Sequence, residues 1–368
     1  MAKLSRIVFA GGGTGGHLFP ALAVADAILR LRPDATIEFV GARRGLEARL
    51  VPKAGYPLHL LPLSGLKGAS APARLVAGAG AALGVLRCVV AFLLRRPAAV
   101  IGVGGYASGP AVLAAWLLRI PTMLMEQNHF PGATNRFLAP RADVVCVPSE
   151  AARARLGGRG VITGNPVRAE FSTIGPAPTG ERVAVLIFGG SRGARSLNRA
   201  VVEALPLLAA ARPGLSIVHQ TGEAERDQIA SAYAGFPDLP SAVVAFIDDM
   251  PKRLAEANLV VSRAGATTLS ELAAAGRAAV LVPYPHAADD HQTLNAEAVR
   301  DAGAAVVVRD QGLTGPTLAA AVLELATDRE RRDRMAAAVK SLARTDAAQR
   351  IAELALALAE GREAAVVS

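Results

Sequence analysis

The sequence predicts an α/β protein built from two parallel-sheet domains facing a central cleft. Apolar strand-like runs alternate with helical segments along the chain, the pattern of helices packed on both faces of a parallel sheet. Two of those runs lead directly into glycine-rich turns. Arg6–Ala10 precedes Gly11-Gly12-Gly13-Thr14-Gly15-Gly16-His17, and Val183–Phe188 precedes Gly189-Gly190-Ser191-Arg192-Gly193. Such a strand-to-helix turn lets backbone N–H groups approach an anion at a helix N-terminus. At 368 residues the chain is long for one domain and comfortable for two. Each half is therefore expected to be Rossmann-like.

In the first half, strands are expected at Ile7–Ala10, Ile37–Val40, Ala99–Val103, Thr122–Met125 and Val144–Val147. Helices are expected at Pro20–Leu31, Arg74–Arg96 and Pro110–Leu118. The rhythm pauses near Asn165-Pro166-Val167-Arg168, and Ser172 to Gly180, rich in Pro, Thr and Gly, reads as a linker. Strands then resume at Val183–Phe188, Ser216–Gln220, Val243–Phe246, Leu259–Ser262, Ala279–Pro283 and Ala305–Val308. An amphipathic helix, Asp346 to Gly361, comes last. The expected domains are 1–165 and 166–344, with 345–368 packing back on the first.

Composition narrows the function. Hydrophobic residues make up 52% of the chain and aromatic residues only 4%, which favours close helix-on-sheet packing over base-stacking platforms. The net charge of +9 suits an anionic partner, but no Lys/Arg run is dense enough for a nucleic-acid arm. Cys88 and Cys146 lie in apolar runs and read as buried core residues rather than a disulfide. The N-terminus enters a strand within a few residues, without the pattern of a signal peptide. No segment reaches the ~20 uninterrupted apolar residues of a spanning helix.

The glycine turns are not a dinucleotide or triphosphate signature. Gly11, Gly13 and Gly16 satisfy G-x-G-x-x-G, but that fingerprint wants an acidic residue closing the second strand. Here the strand runs into Gly41-Ala42-Arg43, and Glu38 lies inside it. Neither turn carries the Gly-Lys-Ser/Thr of a P-loop. His17 ends the first turn at the mouth of the sheet, where ligands bind. An imidazole there suits general-base work near neutrality or, equally, a hydrogen bond to the turn.

The most specific segment is Ser262 to Ala296. Gly265, Thr267 and Thr268 open a helix after a strand, another anion-ready N-terminus, and Glu271 lies one turn further in. A carboxylate there can accept both hydroxyls of a ribose. Gln292 and Asn295 offer neutral donors and acceptors for sugar hydroxyls.

In these residues the chain resembles the MurG family of N-acetylglucosaminyltransferases, and the match covers essentially its whole length. It runs through Gly11–His17, Gly104-Gly105-Tyr106-Ala107-Ser108-Gly109-Pro110, Glu126-Gln127-Asn128, Gly164–Arg168, Gly189-Gly190-Ser191 through Asn198, Phe246-Ile247-Asp248-Asp249-Met250 and Ser262–Ala296. The resemblance implies a GT-B fold and inverting transfer of N-acetylglucosamine from UDP-N-acetylglucosamine to the C4 hydroxyl of lipid I, giving lipid II. It implies that Arg168, Ser191, Ile247, the Ala266–Glu271 helix start and Gln292 contact the donor. Thr14, Gly15, Gly16 and Asn128 would approach it from the first domain. His17 is the expected base and Glu126 the second candidate, whose other role is to order the Asn128 loop. The first glycine turn is a candidate for the acceptor's diphosphate. No cofactor and no metal are expected, because His and Cys lack ligand spacing and there is no Asp-x-Asp.

An acceptor anchored in membrane needs a partner surface on a chain without a span. Leu83, Leu86, Val90 and Leu93 recur at helical spacing within Leu75–Leu94, flanked by Arg74, Arg87, Arg95 and Arg96. That pattern suits an interfacial helix on anionic lipid or, alternatively, a core helix. The resemblance adds a peripheral location on the cytoplasmic face of the cell membrane and cell-wall and division proteins as partners. Two other readings are a UDP-N-acetylglucosamine 2-epimerase and a non-catalytic nucleotide-sugar-binding protein.

Overall fold

The computed structural model describes residues 6–43, 45–63, 71–190, 193–212, 214–287 and 290–362, with backbone alone for 71–77. The chain divides into two compact units, residues 1–168 with 344–368, and residues 169–343.

The first unit holds seven strands: β1 (Arg6–Ala10), β2 (Thr36–Ala42), β3 (Leu58–Leu61), β4 (Ala99–Gly102), β5 (Thr122–Met125), β6 (Val144–Val147) and β7 (Val161–Ile162). They pair in parallel in the order 3-2-1-4-5-6-7. The sequence reading omits β3 and β7, since short edge strands leave little periodic signal. Parallel strands buried on both faces read as near-continuous apolar runs, as in Ile7-Val8-Phe9-Ala10, all fully buried. On one face, helix Gly15–Leu31 joins Ile7, Phe9, Ile101 and Met123 in a core, and helix Ala347–Ala359 adds Ile351, Ala352, Ala355 and Leu356. On the other face, Cys88 and Phe92 of helix Ala71–Leu94 pack with Ala111, Val112 and Ala115 of helix Ser108–Leu117 over Val8 and Val100. Both cysteines are free and buried, and burial pushes each thiol up to about 12.

The second unit repeats the plan: β8 (Val183–Phe188), β9 (Leu215–Gln220), β10 (Ser241–Val244), β11 (Leu259–Ser262), β12 (Ala278–Leu281) and β13 (Val306–Val307). Their order is 10-9-8-11-12-13, all parallel, which is 3-2-1-4-5-6 counted within the unit. Here β10 begins earlier than the expected Val243–Phe246. Its ladder with β9 runs from Ser241 opposite Ile217 to Val244 opposite Gln220. Phe246 and Ile247 lie beyond its end, so hydrophobicity alone shifts the expected window.

In each unit the strand order reverses beside the first strand, between β1 and β4 and between β8 and β11. Two successive crossovers leave that point on opposite faces, so a crevice opens at the carboxyl ends of the strands. Both glycine turns lie there.

Candidate functional site

At the switch point of the first unit, the turns after β1 and β4 interlock. Gly11, with φ of 142°, sits so close that a Cβ would lie 2.4 Å from the Gly104 carbonyl oxygen. A Cβ on Gly105 would meet the Gly12 carbonyl oxygen at 2.6 Å. The glycines thus permit backbone-on-backbone packing. The first turn also holds a carboxylate of the protein's own. Glu47, buried, accepts from Gly13 N at 2.7 Å and from Ala42 N at 2.9 Å.

Thr14 and Gly16 are exposed at the start of helix Gly15–Leu31, and Thr14, its N-cap, makes no side-chain capping bond. His17 follows, half-buried, with Nδ1 2.9 Å from Oε1 of Gln127. Gln127 belongs to the loop after β5. Glu126 organises that loop from inside: Oε1 accepts from Gln127 N, Asn128 N and Asn128 Nδ2, while Oε2 accepts from Gly132 N and Asn135 Nδ2. Five donors on this buried carboxylate occupy the lone pairs a base would use. Arg168 closes this unit's main segment, its guanidinium carbon 5.2 Å from the Phe19 ring centroid.

At the second switch point, Ser191 falls outside the described residues. Helix Ala266–Ala275 begins after β11 with Gly265 as N-cap, which has no side chain to satisfy the orphan N–H groups. Ala266, Thr268 and Leu269 lie in its first turn, Thr267 and Glu271 are buried, and the Ser270 hydroxyl donates to Ala266 O at 3.0 Å. Ile247 N donates to Gln220 Oε1 at 2.9 Å, leaving the Ile247 carbonyl as its backbone group for a ligand. Gln220 also donates to Gly190 O at 2.9 Å, tying the second glycine turn to the Ile247 loop. Gln292 accepts from Tyr284 N at 3.0 Å, so its amide NH2 is the end left for a ligand hydroxyl.

The sequence assigns no role to Arg263 or Asp310, which pair in this floor. Arg263, buried, donates to Val282 O at 3.1 Å, Pro283 O at 3.0 Å and Asp310 Oδ1 at 2.6 Å, and to Ser196 Oγ at 2.7 Å. It joins helix Arg195–Ala209, the residues just after β12 and the segment after β13, three pieces remote in sequence. Among the described residues, no group of three His, Cys, Asp or Glu side chains is placed to hold a metal ion.

The comparisons with known proteins fit this geometry. The glycosyltransferase family 28 N-terminal domain matches residues 7–147, and the family's C-terminal domain matches 184–351. A relative from Syntrophotalea carbinolica is 48% identical over 94% of this chain and 97% of its own length. One from Myxococcus xanthus is 43% identical over 96% and 93%. Both are named UDP-N-acetylglucosamine–N-acetylmuramyl-(pentapeptide) pyrophosphoryl-undecaprenol N-acetylglucosamine transferase. The chain belongs to the MurG family. The crystal structure of Acinetobacter baumannii MurG superposes with a TM-score of 0.73 at 32% identity, covering 96% of this chain and 99% of that one. The two units of the family therefore have the GT-B fold expected from the sequence. A UDP-N-acetylglucosamine 2-epimerase superposes with a TM-score of 0.68 at 14% identity, a likeness of fold alone.

The first unit also carries an exposed apolar row. Leu83, Leu86, Val90 and Leu93 of helix Ala71–Leu94 are 42%, 58%, 48% and 65% exposed, opposite the buried Cys88 and Phe92. The helix is both core and surface, one face each; the side chains of Leu75 to Ala77 lie outside the described residues. Trp116, Leu117 and Phe137 are exposed as well, and the Arg141 guanidinium stacks over both Trp116 and Phe137. No helix among the described residues is long and apolar enough to cross a membrane.

Proposed function

We propose that this chain transfers N-acetylglucosamine from UDP-N-acetylglucosamine to the C4 hydroxyl of the N-acetylmuramyl sugar of lipid I, with inversion, producing lipid II. The observation that carries the reading is His17, a half-buried imidazole at the first switch point, in a chain aligned over nearly its full length with transferases of that name. The acceptor hydroxyl oxygen bonds to the anomeric carbon as the bond from that carbon to the UDP oxygen breaks. UDP leaves with the electron pair and His17 takes the hydroxyl proton. Glu126 orders the Asn128 loop, consistent with its five donors.

The second unit holds the donor. The Ala266–Glu271 helix start faces the diphosphate, stabilising the charge that develops on the leaving group. Glu271 accepts the ribose hydroxyls, the Ile247 carbonyl meets the uracil, and Gln292 donates to a sugar hydroxyl. Ser191 and Arg168 assist at the diphosphate. Thr14, Gly15, Gly16 and Asn128 belong to the acceptor-side unit.

The apolar row on helix Ala71–Leu94, with Trp116, Phe137 and the adjacent arginines, docks the chain on anionic lipid at the cytoplasmic face of the membrane. Leucines beside cations suit a monotopic contact. Cell-wall and division proteins are its expected neighbours there.

The test is incubation with UDP-N-acetylglucosamine and a lipid I analogue, measuring UDP release. Release that depends on the acceptor, lost in His17→Ala with donor binding retained, is expected. Release independent of the acceptor would sink the reading.

A further inference from the structure

The loop after β5 does more than border the site, because the position of one amide determines what the imidazole beside it can do. Gln127 is almost fully buried. Its main chain is held at both ends, N donating to Glu126 Oε1 at 3.0 Å and O accepting from Asn165 Nδ2 at 2.8 Å. Its side-chain amide is oriented as well. Nε2 donates to Met125 O at 3.2 Å. Turning the amide over would set its oxygen against that carbonyl, two acceptors face to face with no proton between them. The oxygen therefore points to His17, 2.9 Å from Nδ1. A carboxamide oxygen only accepts, so Nδ1 is the donor and carries the proton. The Nδ1–Cε1 edge also lies against Gly104, where a Cβ would come within 2.9 Å of both atoms.

We infer that Gln127 is a positioning residue that holds neutral His17 in the Nδ1–H tautomer, leaving the Nε2 lone pair to receive the acceptor's proton. The inference rests on His17 as the base. The logic is that of an orienting group behind a catalytic imidazole, here with a neutral amide in place of a carboxylate. An amide orients the ring without adding a charge that would favour the imidazolium, a form with no lone pair to offer.

The test reads the tautomer directly. The full chain is labelled with 15N-histidine, and the His17 ring resonances are assigned by their loss in His17→Ala. At a pH where the ring is neutral, a protonated Nδ1 and an unprotonated Nε2 are expected. Gln127→Met keeps the side-chain length and removes the acceptor. It should give a mixture of tautomers, with kcat lowered on the order of 10-fold or more and both KM values nearly unchanged. Gln127→Glu restores an acceptor. It should keep Nδ1 protonated and move the acidic limb of the kcat/KM profile to higher pH, because a carboxylate favours the charged ring.

A wild-type His17 protonated on Nε2, or a Gln127→Met variant with the wild-type tautomer, overturns the inference. A His17→Ala variant with full turnover removes the base reading and the catalytic purpose of Gln127 with it. The two failures are distinguishable because the tautomer is observed without substrate.

Discussion

The carboxylate of Glu47 accepts the backbone N–H of Gly13 at 2.7 Å, so the first glycine turn already holds an anion supplied by the chain. The second oxygen takes Ala42 N at the end of β2, and a Cβ on Gly12, Gly41 or Gly45 would collide with the same side chain. With the Gly13 N–H taken, an acceptor diphosphate at this turn would draw on other donors of the helix start. Glu47→Ala strands two backbone N–H groups at a buried site, and unfolding in urea should show a loss of about 2–4 kcal/mol. Glu47→Gln, which keeps one acceptor, should lose about half as much.

Glu126 and His17 make different predictions for the pH profile. If Glu126 orders the loop, Glu126→Gln presents an NH2 group to existing donors, and acceptor-dependent kcat/KM should fall by about 10-fold or more. The acidic limb of the profile should stay where it is in the wild type. Disappearance of that limb would instead make Glu126 the base.

The Arg263–Asp310 pair positions the floor of the second unit. Asp310→Asn keeps an acceptor for Arg263 and should raise the KM for UDP-N-acetylglucosamine several-fold, with kcat within about twofold of wild type. Asp310→Ala leaves a buried guanidinium without its carboxylate and should cost about 3 kcal/mol of stability or more. An unchanged donor KM in both variants would reduce the pair to a structural tie.

His219 carries a pH dependence of stability. It lies fully buried under Asn198 and Tyr233, and burial pushes its imidazole down to about 4. The unfolded chain binds that proton near pH 6.5, so the unfolded state takes up the proton first as pH falls. The contribution is fully present above about pH 6.5 and is lost progressively towards pH 4. Denaturation midpoints of the wild type and His219→Gln should converge across that window. Parallel curves would show that His219 does not titrate there.

The exposed row on helix Ala71–Leu94 predicts a charge-sensitive membrane contact. Leu86→Asp combined with Leu93→Asp should lower co-sedimentation with phosphatidylglycerol vesicles by about 10-fold or more, since burial of each leucine in lipid is lost. Turnover of a water-soluble acceptor should stay within about twofold of wild type. Equal vesicle binding by the variant would place the contact elsewhere.

Local pattern was enough to reveal the two repeated halves, most of the strands and the positions of His17, Glu126 and the Ala266–Glu271 helix start. Continuous apolar runs mark strands buried on both faces, and glycine after a strand marks the turn at its end. These signals lie within a few residues, so they survive in one dimension. The three-dimensional fold assigned partners. Gln127 reaches His17 across 110 positions, Glu47 reaches Gly13 across 34, and Arg263 reaches Asp310 across 47. A hydrogen bond depends on ångström-scale placement of two atoms, which no spacing in the sequence encodes. Chain folding brought the glutamine of the Glu126-Gln127-Asn128 motif against the His17 imidazole, and made the first glycine turn the seat of an internal carboxylate.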